Sequence, residues 1–254
     1  MQAAASGFQA TLVLLFKRPL IGQGKQRLAA SVGPERARVL AEHFLRCALE
    51  DLAAWQGPVV LAPADPHDRV WAEQLFGRAQ VVPQGDGNLG QRIIALDRQL
   101  RNLGHRYLVY IGSDAPALTP GHYRSVRHQL AHTDVVLSAA DDGGVTIMAC
   151  AHPWPVALIE LPWSTDQLGE TLAGCCQQQG LRLSYMEPSY DVDVELDLPR
   201  LRADLASDVR PARQALFGLL QTLAVSGAYP DACASSYTSA CADTDSCAAD
   251  TASN

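Results

Sequence analysis

The 254-residue sequence predicts an α/β fold built on a mostly parallel, helix-covered sheet, on three observations. Short apolar runs alternate with amphipathic segments through the first half of the chain. The apolar runs are continuous rather than alternating with polar residues, as in strands buried on both faces. Gly, Pro or Asp bounds each run, so consecutive elements connect as β-α-β units with right-handed crossovers.

Taken in order, Leu12–Phe16, Val59–Ala62, Gln80–Val82, Tyr107–Ile111 and Val135–Ala139 read as strands, each short and rich in Leu or β-branched residues. The segments Pro34–Trp55, Asp68–Phe76, Leu89–Leu103 and Pro120–Ala131 read as the helices between them. Pro34 and Pro120 suit a first helical position, where a missing N–H is no loss. From Asp141 the rhythm changes. Gly143-Gly144 leads into Val145–Ala151, and Ser164–Gln167 reads as a capping box that opens a helix at Ser164. A strand at Leu181–Met186, an acidic turn at Tyr190–Asp197, and helices at Pro199–Asp208 and Ala212–Val225 follow. Beyond Gly227 the chain is Ala, Ser, Thr, Asp and Cys, too poor in bulky apolar residues to order itself. The expected organisation is a flexible N-terminus (1–10), one domain (11–226) and a disordered tail (227–254).

With 48% hydrophobic and 19% charged residues, the chain can bury an ample core. Its net charge of −7 leaves no broad basic face for nucleic acid or an anionic membrane. The N-terminus lacks a basic n-region, and Leu12–Phe16 is far too short to span a bilayer. A cytoplasmic protein without a membrane span is the expectation. The seven cysteines show no CxxC pair and no Cys/His ligand spacing, which suits structural thiols in a reducing compartment rather than zinc. No recognisable motif encodes an oligomeric state.

In an open parallel sheet, ligands sit beyond the carboxyl ends of the strands. The loop after the first strand runs from Lys17 to Arg27. Gly22 and Gly24 permit close backbone approach, and Lys17, Lys25 and Arg27 supply cations for a diphosphate. The loop is not a Walker A and holds no GxGxxG, and a solvated basic turn is its alternative reading. Asp114, in Ile111–Pro116, stands at the end of a buried strand, either as an Asx-turn or cap, or as a ligand of a hard divalent cation. Ala140–Gly144 offers Asp142 with the paired Gly143 and Gly144. In Tyr190–Asp197, Asp191 and Asp193 share one side if extended, or serve as helix N-terminal acids. Gly90, in the glycine-rich helix entry Gly85–Arg92, can close one edge of the pocket, whereas Trp163 reads as a packing residue.

The runs FKRPLIGQGKQRLA, PQGDGNLGQRI, IGSDAPALT, AADDGG, LPWSTDQLGETL and YDVDVELDL, in this order, resemble a bacterial glycosyltransferase-like family of unknown function. That family is associated with radical-SAM and selenium-related proteins, and it looks like the GT-A nucleotide-diphospho-sugar transferase superfamily. The resemblance spans about residues 11–205. It implies a three-layer αβα sandwich with a mixed, mainly parallel sheet (a Rossmann-like GT-A fold). It also implies Mg2+ (or Mn2+) held by Asp114 and Asp193 against nucleotide phosphates. By the same resemblance Asp114, Lys25 and Arg27 are the catalytic set. Lys17, Gly22, Gly24, Lys25, Arg27 and Gly90 would face the nucleotide, with Asp142, Gly143 and Gly144 on the sugar or acceptor side. Gln26 stands where the family usually carries Thr, and Val145 where it usually carries Tyr.

The first expectation is therefore a transferase that moves a sugar from a nucleotide-diphosphate donor to an acceptor the sequence does not name. The second is a nucleotidylyltransferase joining an NTP to a phosphorylated acceptor. The third is a nucleotide-binding protein of the same fold without turnover.

Overall fold

In the computed structural model, which describes residues 8–225, β1 (Ala10–Phe16) lies in the interior of the sheet. It pairs in parallel with β2 (Val59–Pro63) on one side and β4 (Tyr107–Gly112) on the other. A two-residue strand, β3 (Gln80–Val81), extends the β2 edge in parallel. Beyond β4 the direction changes. β6 (Val145–Cys150) runs antiparallel to both β4 and β5 (Val135–Ala140), and β7 (Leu183–Ser189) pairs in parallel with β5. The order β3-β2-β1-β4-β6-β5-β7 gives a seven-stranded, mainly parallel sheet with one reversed strand, the mixed α/β architecture expected.

Side chains leave successive strand residues on opposite faces, and here both faces are covered. Leu12, Leu14 and Phe16 of β1 join one core with Leu45 and Leu52 of α2 (Pro34–Ala54) and Tyr123, Val126 and Leu130 of α5 (Pro120–Leu130). Val13 joins the opposite core with Ile93, Leu96 and Leu100 of α4 (Leu89–Asn102) and Leu168 and Leu172 of α6 (Leu168–Gln178). That two-sided burial is why β1 reads as an unbroken apolar run. A third core lies outside the first layer. There α1 (Gln26–Val32), α7 (Asp197–Leu205) and α8 (Pro211–Val225) pack on the far side of α2 around Leu28, Leu40, Phe44, Leu201 and Leu220. The remaining helix, α3 (Arg69–Leu75), follows a short 3-10 turn at Pro66–Asp68.

Two sequence expectations change. The helix read from Ser164 begins at Leu168, and Ser164 sits at φ 65°, in the left-handed region. Thr165 decides this locally: its hydroxyl donates to Pro162 O at 2.7 Å and accepts from Gln167 N at 3.3 Å. A hydroxyl bonded to its own neighbouring backbone stabilises a turn at the expense of a helix. The Lys17–Arg27 segment, read as loop throughout, turns helical at Gln26. Among the described residues no helix is long and apolar enough to cross a membrane. Residues 1–7 and 226–254, which include the tail read as disordered, lie outside the described residues.

Candidate active site

The carboxyl ends of β1 and β4 open into a cleft, and the loop after β1 shapes its near wall. Gly22 and Gly24 adopt φ of +79° and +67°, values that cost little only without a Cβ. Lys25 follows them in the left-handed region as well, at φ 45°, on the N-terminal flank of α1. A lysine there carries strain, on the order of 1–3 kcal/mol, which the surroundings must over-determine. They do so through its side chain. Nζ donates to Val192 O at 2.7 Å and meets Asp193 Oδ1 at 2.8 Å and Asp114 Oδ2 at 3.0 Å. Burial alone would lower the Lys25 ammonium, yet Asp114 and then Asp193 outweigh it and hold it above its ordinary 10.5. Lys25 is therefore a fixed positive charge, with its side chain only 7% exposed.

Asp114 arrives on the turn after β4. Ser113 Oγ donates to its Oδ1 at 3.2 Å, and its backbone carbonyl accepts from Val192 N at 2.8 Å, tying the two acidic segments together. The Asp114 carboxylate remains 44% exposed. On the facing turn, Asp197 accepts from the N–H groups of Asp193 and Val194 at 2.7 and 2.9 Å, closing the turn and leaving the Asp193 side chain to point into the cleft. Burial would raise Asp193, but Lys25 and Arg27 hold it below the ordinary carboxylate value, with Arg27 Nη2 2.9 Å from Oδ2.

The cleft has two connected halves that share Leu15, Leu89, Gly112, Asp114, Ser164 and Asp193. One half, a cavity of about 380 Å³, takes Lys17, Arg18, Lys25 and Arg92 into its wall. Arg92 reaches Gln84 Oε1 at 3.3 Å, and its buried Nε has no partner. The other half, about 440 Å³, is lined by Asp114, Asp142, Asp166, Asp191 and Asp193, with Trp163 beside them. Asp191 has no hydrogen-bond or ion-pair partner among the described residues. Burial, and then the charge of Asp114, push its carboxyl up to about 7, with Lys25 opposing.

Several expected residues come together in this cleft: Lys17, Gly24, Lys25, Arg27, Asp114, Asp142, Gly144 and Asp193 all line it. Gly22, Gly90 and Gly143 line neither half. Gly90 and Gly143 serve close packing: at Gly143 a Cβ would lie 1.9 Å from Asp166 O, and at Gly90 2.2 Å from Leu158 O and 2.7 Å from Trp163 Nε1. Gly22 flanks a crevice against Ala37 and Ala41 of α2. Asp142 also has a local role, since Oδ1 accepts from Gly144 N at 3.0 Å. The sequence reading left out Gln84, Arg92 and Asp166, weighed Asp191 beside Asp193 without giving it a role, and assigned Trp163 to packing. Arg92 and Trp163 carry no motif of their own, whereas Asp191 was visible two residues from Asp193.

Two predictions follow from these contacts. Gly90→Ala should destabilise the protein by about 1–3 kcal/mol through overpacking, read as a lower urea midpoint; an unchanged midpoint would mean that α4 shifts freely. Asp191→Asn should stabilise. A carboxyl raised from 3.8 to about 7 lets the native state hold its proton longer than the unfolded chain does, so stability falls as pH rises through that window. The gain from Asn is absent below pH 3.8 and complete above about pH 7, and thermal melts across that range will show it.

A divalent cation at the Asp114–Asp193 pair fits this structure in donor type but not in arrangement. Both Asp193 oxygens are engaged by cations, and the Lys25 ammonium stands between the two carboxylates. A metal wants free carboxylate oxygens at about 2.0–2.1 Å, and a cation there would face Lys25 at short range. Among the described residues no group of three or more His, Cys, Asp or Glu side chains could hold a metal ion.

Residues 45–165 match a bacterial family described as "Uncharacterized protein conserved in bacteria (DUF2064)", in keeping with the resemblance read from the motifs. No curated protein sequence matches the chain. Among solved structures, the fold matches that of a protein from Desulfovibrio desulfuricans G20 described as a putative nucleotide-diphospho-sugar transferase. That match has a TM-score of 0.76 at 22% identity, over 84% of this chain and 94% of that one. A homolog of Mycobacterium tuberculosis rv0371c from Mycobacterium sp. strain JC1 matches with a TM-score of 0.51 at 16% identity, over 84% and 98%. A cytidylyltransferase from Leptospira borgpetersenii serovar Hardjo-bovis matches with a TM-score of 0.50 at 9% identity, over 85% and 95%. At these identities the likeness is one of fold.

Proposed function

We propose, for a chain whose residues 45–165 match that bacterial family and whose fold is that of nucleotide-diphospho-sugar transferases, that it transfers a sugar from a nucleotide-diphosphate donor. One observation carries the reading: Lys25 stands at the junction of a cationic half-cleft and a carboxylate half-cleft, held by both Asp114 and Asp193. A diphosphate is the ligand whose charge suits the first half, beside Lys17, Arg18, Lys25 and Arg92. The sugar then lies toward Asp114 and the acceptor in the second half.

The acceptor oxygen attacks the anomeric carbon, and the bond from that carbon to the diphosphate oxygen breaks. The electron pair leaves with the diphosphate, where negative charge grows in reach of Lys25. The acceptor proton passes to a carboxylate of the second half. Lys25 contributes charge rather than a proton, because its carboxylate neighbours hold it above its ordinary pKa. Most of the acceleration on this reading is positioning plus preorganised charge. No step is routed through a metal, given how Lys25 and Arg27 engage the carboxylates.

The test is release of nucleoside diphosphate from a panel of sugar nucleotides, with pyrophosphate release from NTPs run alongside. Asp114→Ala is expected to lower turnover about 100-fold or more, an effect of the size seen when a preorganised polar group is removed from a reaction centre, with an unchanged far-UV spectrum. Pyrophosphate release with a phosphorylated acceptor, and no nucleoside diphosphate release, would replace this reading with nucleotidyl transfer.

A further inference from the structure

Resting on the reading above, we infer that the acceptor is an unphosphorylated, hydroxyl-bearing molecule of the sugar or polyol class. The second half-cleft is lined by five carboxylates, Asp114, Asp142, Asp166, Asp191 and Asp193, and by a single cation, Arg27. Arg27 is already engaged by Asp193 at 2.9 Å, and Lys25, reaching in from the other half, is shared between Asp114 and Asp193. Carboxylates outnumber cations five to one in this half. A phosphorylated acceptor would bring a dianion into a wall of like charge, the arrangement that interfaces use to reject wrong partners.

Carboxylates dominate the polar groups of this half. An ionised carboxylate only accepts hydrogen bonds. Asp191 is half-buried near the Asp114 charge and has no side-chain partner among the described residues, so its carboxylate is open to a donor from a ligand. Asp114 and Asp142 keep lone pairs beyond their bonds to Ser113 Oγ and Gly144 N. Several hydroxyls on one small frame meet that need. The apolar side of the half, with Leu89, Met148 and Trp163, suits the C–H face of a ring. The same arrangement separates the two substrates by charge, with the anionic donor among Lys17, Arg18 and Arg92 and the neutral acceptor among carboxylates.

The experiment reads binding, so that it stands apart from turnover. The full chain, saturated with a nucleoside diphosphate, is titrated with matched pairs: glucose and glucose 6-phosphate, N-acetylglucosamine and its 6-phosphate, myo-inositol and its monophosphate. Saturation-transfer NMR follows each. Binding of at least one neutral member, with its phosphorylated partner about tenfold weaker or absent, is the expected result. In the double variant Asp142→Asn/Asp166→Asn, which keeps an acceptor oxygen for Gly144 N, the preference for the neutral member is expected to shrink. A phosphorylated member that binds as well as its neutral partner overturns the inference, and so does binding by no neutral member. An unchanged preference in the folded double variant overturns the electrostatic cause. Absence of nucleoside diphosphate release from sugar nucleotides would sink the transfer reading and leave this comparison intact.

Discussion

Lys25→Met is expected to abolish measurable sugar transfer, with a loss of about 100- to 1,000-fold or more, the size found when a preorganised charge or donor at a reaction centre is removed. The lysine meets Asp114, Asp193 and Val192 O within 3.0 Å, so its removal leaves two carboxylates facing each other without the cation between them. That vacated position yields a second readout. In the native protein the ammonium occupies the space between the acids, so Mg2+ should move the melting temperature little through this pair. In Lys25→Met the freed oxygens of Asp114 and Asp193 become competent ligands, and millimolar Mg2+ should raise the melting temperature by ligand linkage. A native protein whose melting temperature responds to Mg2+ as strongly as the variant's would show that Lys25 and Arg27 yield Asp193 readily. Unaltered turnover in Lys25→Met would remove the lysine from the mechanism. Lys25→Arg makes the complementary case: it keeps the charge but not the compact ammonium that fits between two carboxylates, and partial activity is expected.

The largest loss of stability is expected at Arg213, which lines neither half of the cleft. Its side chain is 0% exposed, and it meets Asp51 Oδ2 at 2.5 Å and Glu50 Oε2 at 3.0 Å. It also donates to Pro116 O at 3.2 Å and to Leu118 O at 3.4 Å, carbonyls of the segment that follows Asp114. Asp51 is further held by Arg210 at 2.9 Å and by Tyr123 Oη at 2.8 Å, while burial pushes its carboxyl upward against both arginines. Arg213→Met leaves half-buried Glu50 and part of buried Asp51 uncompensated. Breaking a buried pair from one side costs about 3–5 kcal/mol, which for a domain of this size lowers the melting temperature by about 6–20 °C. Differential scanning calorimetry of Arg213→Met decides the matter, and a change under about 1 kcal/mol would mean that water reaches the cluster. Because α8 thereby grips the Asp114 segment, residual folded variant should also transfer more slowly than the native protein.

Much of the fold was legible because its signals are local. Each of the first five strands is a continuous apolar run, and the observed boundaries fall within one or two residues of the reading. Pro34 and Pro120 open their helices as expected. The Ser164 helix start was misplaced because a Ser-Thr-Asp-Gln run serves a hydroxyl-stabilised turn as well as a capping box, and only the Thr165 bonds to Pro162 and Gln167 distinguish the two. In the site, Asp114, Lys25 and Asp193 were readable from strand-end position and motif order. Their relation was not. No run of adjacent residues tells that Lys25 lies between the two acids, 167 and 168 residues from its partners Val192 and Asp193. Gly90 and Gly143, which pack closely against other segments, show the same limit, since sequence marks a backbone position without a Cβ but not what approaches it.

The sequence by itself determined the α/β class, the strand-end loops that line the cleft, and the presence of Asp114, Lys25 and Asp193 among them. All of these follow from runs of adjacent residues, whose periodicity and turn chemistry act over a few positions. Only the tertiary structure decided that β6 reverses between β4 and β5, that Lys25 pairs with both acids, and that the cleft divides into a cationic and a carboxylate half. Those facts depend on which distant segments meet. Charge acts through space as the inverse of distance, so the same residues spread along the chain carry no such division until the sheet brings them together.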